Sequence, residues 1–122
     1  MTPDTLLSAA EDAINAWLVA HGATPQPGLV EGYRLLALHR QAVGIASNFL
    51  ACRETCRELI YQINCAAVAE DTTERARRLR LADMAGTHLA LFVAGSLETA
   101  GLGTFCCAAR PLHTPDAPQL RS

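Results

Sequence analysis

The sequence predicts an all-α protein, an antiparallel up-and-down helical bundle of four-helix-bundle type, and three observations lead there. The composition is rich in Ala and Leu, half hydrophobic yet only 5% aromatic, which favours helix over strand. Apolar residues return every three or four positions over long stretches. No segment alternates with the period of two that a half-buried strand needs, and no repeat or low-complexity tract interrupts the pattern. At 122 residues the chain has the size of one domain. The expected organisation is a single bundle over residues 1–110 and a proline-rich, disordered C-terminal tail over 111–122.

The first helix is expected from Pro3 to Ala20. Thr2 serves as its cap, Pro3 suits the first turn, and Asp4 sits on the positive end of the dipole. Leu7, Ile14 and Leu18 recur on one face, flanked by Leu6, Ala10 and Trp17, and Gly22 stops the helix. "ATPQPG" then reads as a linker. A helical pattern follows from Leu29 to Val68, which as one rod would be roughly 60 Å long, with Gly44, Ser47 and Asn48 as its weak points. In "EDTTE", Asp71 or Thr72 offers an N-cap, and Glu74 is placed to close a capping box on Asp71. The next helix is expected from Thr73 to Leu97. Beyond Gly101 and Gly103, "TFCCAA" predicts a short fourth turn around Phe105 to Ala108.

Charge and motif content narrow the function. A net charge of −2 gives nucleic acid no global attraction. All ten basic residues are arginine, for which codon usage is sufficient reason. The one basic cluster, "RARRLR" at Arg75, Arg77, Arg78 and Arg80, has no interleaved aromatics, so a solvated face pairing with Glu70, Asp71 and Glu74 is expected rather than a nucleic-acid site. No apolar run approaches the roughly 20 residues of a membrane span, so no membrane association is expected. The first segment lacks the features of a secretory signal, and a cytoplasmic location is expected. There, five cysteines argue against a disulfide framework and leave metal binding, catalysis or burial. No P-loop, G-x-G-x-x-G, H-E-x-x-H, G-x-S-x-G or di-iron E-x-x-H pair is present, so the chain does not read as an enzyme.

Helical geometry sorts the cysteines. At about 100° per residue, Leu35, Leu38, Ala42, Ile45, Phe49, Cys52, Cys56, Ile60, Ile63 and Ala67 form one stripe. Cys52 and Cys56 are then core-facing neighbours one turn apart, and two sulfurs so placed can clasp a soft ion such as Cu(I). Tetrahedral zinc would need two further ligands. Free cysteine is equally at home as a small buried hydrophobe, so both readings stand at this point. Cys65 falls on the opposite, polar side. His88 shares a face with Leu81, Ala85, Leu89 and Phe92 and is expected to point inward, as a ligand or as a satisfied core histidine. Met84, at the edge of that stripe, offers a thioether or a gap-filler. Adjacent Cys106 and Cys107 diverge by about 100°, so one faces the bundle and the other solvent.

The stretch "CRETCRELIYQINCAAVAEDTTERARRLRLADMAGTHLALFVAGSLETAGLGTFCC", with its C-x3-C helix, further cysteine, acidic turn, helix ending "FVAGS" and closing cysteines, resembles the cysteine-rich four-helix-bundle copper-storage proteins. The resemblance implies thiols lining a bundle bore and binding Cu(I). It makes Cys52 and Cys56 a ligand pair and Cys65, Cys106 and Cys107 additional ligands. With five cysteines, and none between Thr73 and Ser96, the capacity expected is low. The function expected is therefore a non-enzymatic, cysteine-based Cu(I)-binding protein with candidate ligands Cys52, Cys56, Cys65, His88, Cys106 and Cys107. The alternative is a helical interaction module whose cysteines are packing residues. Unless the second segment folds back near Gly44 to Asn48, its surplus length over the first helix predicts a homo-oligomer, a dimer being the simplest.

Overall fold

The computed structural model describes residues 1–99. The expected turn at Phe105 to Ala108, Cys106, Cys107 and the expected tail lie outside the described residues. Within them the fold is all-α: α1 (Pro3–Ala20), α2 (Arg34–Ile45), a 3₁₀ segment (Ser47–Cys52), α3 (Arg53–Val68) and α4 (Thr72–Thr99). α4 packs most extensively along α3 and then against α1, and α1 also packs on α2. Among the described residues no helix is long and apolar enough to cross a membrane.

Local chemistry fixes both ends of α1. The Thr5 amide donates to Thr2 Oγ1 at 3.2 Å while the Thr2 amide donates to Thr5 Oγ1 at 3.0 Å, a reciprocal cap on the first turn. At the other end Ala23 N–H reaches the Leu18 carbonyl and Gly22 N–H that of Val19, both at 2.9 Å. This is the Schellman pattern, and it puts Gly22 at φ +76°. An added Cβ there meets nothing within 4 Å, so the cost of a side chain is purely conformational. Gly22→Ala is expected to lower stability by roughly 1–2 kcal/mol in urea unfolding, the cost of a left-handed L-residue.

The linker is tied to α2 rather than loose. Gln41 accepts from the Gln26 amide and donates to the Thr24 carbonyl, each at 2.9 Å, and Arg34 donates to the Gln26 carbonyl at 3.0 Å. Val30 and Tyr33 then exchange both backbone hydrogen bonds around Glu31 and Gly32. Both central residues have positive φ, 54° and 87°, as a type I′ turn demands. Arg57 on α3 grips the Glu31 carboxylate at 2.7 Å and so anchors the turn.

The helical pattern expected from Leu29 to Val68 is broken, and the break falls among the weak points Gly44, Ser47 and Asn48. Residues 29–33 make the turn, and the helix stops at Ile45, where Ala46 turns to extended backbone (φ −141°, ψ 108°). Gly44 is a poor helix former, and Ser47 and Asn48 bond readily to local backbone, so little helical stability is lost there. The gain is tertiary. After the break Phe49 is fully buried, its ring 4.4 Å from that of Trp17 and 5.3 Å from that of Phe92. Ile45 and Ala67, expected on the stripe, are exposed, while Leu59 and Ala66 are buried in α3. The fold-back also removes the length mismatch on which the expected dimer rests.

α3 and α4 are joined by polar as well as apolar contacts. Gln62, almost fully buried, donates to Glu58 at 2.6 Å and accepts from Arg78 at 3.0 Å. Asp71 accepts from the Thr73 amide at 3.2 Å, as an N-cap does. Glu74 does not close the expected box on it. Its carboxylate takes Arg77 at 3.0 Å and Arg78 at 2.8 Å, and these two guanidiniums hold it down at about 2. Arg75 donates to the Ala66 and Ala69 carbonyls at the end of α3. Three of the four clustered arginines are thus engaged within the fold.

Candidate metal centre

The break between α2 and α3 builds the most concentrated chemistry among the described residues. Cys52 ends the 3₁₀ segment and caps α3, and Cys56 follows one turn later. His39 comes from α2. One ligand atom from each of the three lies within 4.8 Å of the other two, and this is the one such group of three or more among the described residues. Relative exposures of 4% for His39, 1% for Cys52 and 0% for Cys56 seal the group from water.

The Phe49 carbonyl organises the cluster. It accepts from His39 Nε2–H at 2.8 Å and from the Cys52 thiol at 3.3 Å. A carbonyl can only accept, so Nε2 carries the hydrogen and the neutral ring keeps its lone pair on Nδ1. The hydrogen bond from Cys56, joined by His39, lowers the Cys52 thiol below the ordinary thiol range against the opposing effect of burial. On ionising, Cys52 gives up its bond to Phe49 and becomes the acceptor for Cys56. Cys56, donating to Cys52 and buried, is pushed up far beyond the ordinary thiol range. Burial works against a charged His39, but the bonds to Cys52 and Phe49 outweigh it and leave the ring raised. Within the pair, Cys52 is thus the thiol favoured to ionise and Cys56 the one favoured to keep its proton.

Of the expected ligands, the structure brings Cys52 and Cys56 together and leaves Cys65 apart. Cys65 is half-buried near Arg78, on another side of α3. In reduced, metal-free protein it is expected to be alkylated ahead of Cys52 and Cys56, as followed by peptide mass mapping. His88 does not point inward. The buried face of α4 is Ala82, Ala85, Leu89 and Val93, and His88 lies roughly 100° round the helix from its centre. It lines an open groove of about 630 Å³ between α3 and α4, with Glu54, Glu58, Tyr61 and the exposed Met84.

His39 was not among the residues expected. Along a continuous helix it would stand roughly 20 Å from Cys52, thirteen residues at 1.5 Å each. Only the turn at Ala46 folds it back. Its spacing from Leu35 and Ala42, four and three residues, was the available sign that it faces the core.

No family model matches the chain, and no curated protein or solved structure matches it significantly.

Proposed function

We propose that this chain is a non-enzymatic Cu(I)-binding protein of low capacity, holding one ion between the sulfurs of Cys52 and Cys56 and the ring of His39 in an antiparallel up-and-down bundle. The observation that carries the reading is the sealed convergence of two thiols and an imidazole within 4.8 Å. Two soft sulfurs and one nitrogen suit a low-coordinate soft cation. Zinc would lack a fourth ligand in this group. The Phe49 carbonyl takes the Nε2–H and leaves the Nδ1 lone pair available to an ion, the kind of backbone support common behind a ligating histidine. The resemblance to copper-storage bundles points the same way.

Titration of the reduced protein with Cu(I) against a chromophoric chelator tests the reading. One equivalent per chain should be withheld from the chelator. His39→Gln, whose amide can still serve the Phe49 carbonyl, should weaken that binding about tenfold or more, since even indirect support of a ligand is commonly worth that much. Binding displaces thiol protons, so the apparent affinity should tighten as pH rises, about tenfold per pH unit for each proton displaced. A chelator that strips all copper as easily from the folded protein as from the urea-unfolded chain would defeat the proposal and favour a helical interaction module.

A further inference from the structure

Two thiols one turn apart at the start of a helix are a dithiol as well as a ligand pair. We propose that Cys52 and Cys56 form a reversible disulfide on meeting a hydroperoxide, so that the α2–α3 corner carries a modification site. The sulfurs already lie within 4.8 Å of each other. Residues four apart on a helix have Cα atoms about 6 Å apart, inside the span a disulfide bridges. Their Cβ atoms, about 5–6 Å apart, must close to about 4 Å, so one end has to move. Cys52 is that end. It caps α3 from half outside the helix, follows a 3₁₀ segment, and is flanked by exposed Ala51 and Arg53, whereas Cys56 sits inside the hydrogen-bonded turns. Fraying of the first turn therefore bares Cys52 before Cys56.

The chemistry balances without any other reactant. The Cys52 sulfur attacks the terminal oxygen of the hydroperoxide, the O–O bond breaks, and the thiol proton leaves with the alkoxide as an alcohol, or as water when the oxidant is hydrogen peroxide. The Cys56 sulfur then attacks the sulfenic sulfur, the S–O bond breaks, and the hydroxide takes the Cys56 proton and departs as water. The two sulfurs lose two electrons and the peroxide gains them. Because Phe49 lies against Trp17 and bonds to Cys52 through its carbonyl, the movement also reaches the Trp17 ring. A further consequence, which rests on the proposed metal reading, is that oxidation would expel Cu(I), a disulfide having no thiolate to offer.

The test uses reduced, metal-free protein and one equivalent of hydrogen peroxide, followed by alkylation of the remaining thiols and cleavage after arginine. Arg53 lies between the two cysteines, so the expected product is "QAVGIASNFLACR" (41–53) joined to "ETCR" (54–57), separated again by a thiol reductant. The same linked peptide should form in Cys65→Ala. In Cys56→Ala the reaction should stop at a sulfenic acid on Cys52 that a cyclic diketone traps. Recovery of both peptides alkylated and unlinked, irreversible sulfinic acid on Cys52, or pairing of either cysteine with Cys65 would each overturn the proposal. No copper enters the experiment, so its failure leaves the metal reading standing, and failure of the copper titration leaves the disulfide standing.

Discussion

Metal-free protein carrying Cys52→Ala and Cys56→Ala together is expected to keep its helices, lose all tight Cu(I) binding, and unfold about 1–3 kcal/mol more easily than the wild type. Both thiols are fully buried, so each truncation removes packed atoms and leaves a small cavity. Two factors hold the cost down. Alanine is the better helix former at position 56, and the Phe49 carbonyl keeps His39 as a donor when the Cys52 thiol is gone. The effect on copper has no such offset, because one imidazole cannot replace two thiolates for a soft ion. Stability has to be measured by urea unfolding without metal, since a bound ion adds its own linkage to the wild type. Cu(I) affinity and stoichiometry equal to wild type would show that the pair is core packing.

What was legible in the sequence was what local chemistry decides. α1 runs from Pro3 to Ala20 as expected because the Thr2 cap and the Gly22 stop both act within a few residues. α4 begins one residue before the expected start for the same reason, Asp71 capping it from its own turn. The Cys52 and Cys56 pair was also legible, because a spacing of four survives whatever the preceding helix does. The break at Ala46 was visible only as weakness at Gly44, Ser47 and Asn48. What turns weakness into a corner is the place that Phe49 finds between Trp17 and Phe92, set by contacts more than thirty residues apart in sequence. His39 was hidden by the same cause, since it joins the thiols only after the chain has turned. His88 was misplaced because Leu81 and Phe92, counted with the apolar face of α4, are only partly buried and shift its apparent centre.

Trp17→Ala is expected to cost about 3–5 kcal/mol, a large share of the roughly 5–15 kcal/mol that holds an ordinary domain folded. Trp17 is fully buried and is the largest side chain at the centre of the core. Its ring stacks on His21 at 3.8 Å and meets Phe49 at 4.4 Å, so its removal takes a ring contact from each of them. Its Nε1–H donates to Ser96 Oγ at 3.0 Å, a polar contact that ties α1 to α4. Trp17→Phe separates the two roles, keeping most of the apolar area while losing the hydrogen bond, and is expected to cost clearly less than the alanine variant. Urea unfolding followed by far-ultraviolet circular dichroism measures both without relying on Trp emission. Because Trp17 also backs Phe49, whose carbonyl holds His39 and Cys52, the alanine variant should bind Cu(I) more weakly even under conditions where it is fully folded. A stability loss below about 1 kcal/mol would place the cooperative core elsewhere than this aromatic cluster. Unchanged copper affinity in the folded variant would show that the α2–α3 corner holds its shape without support from α1.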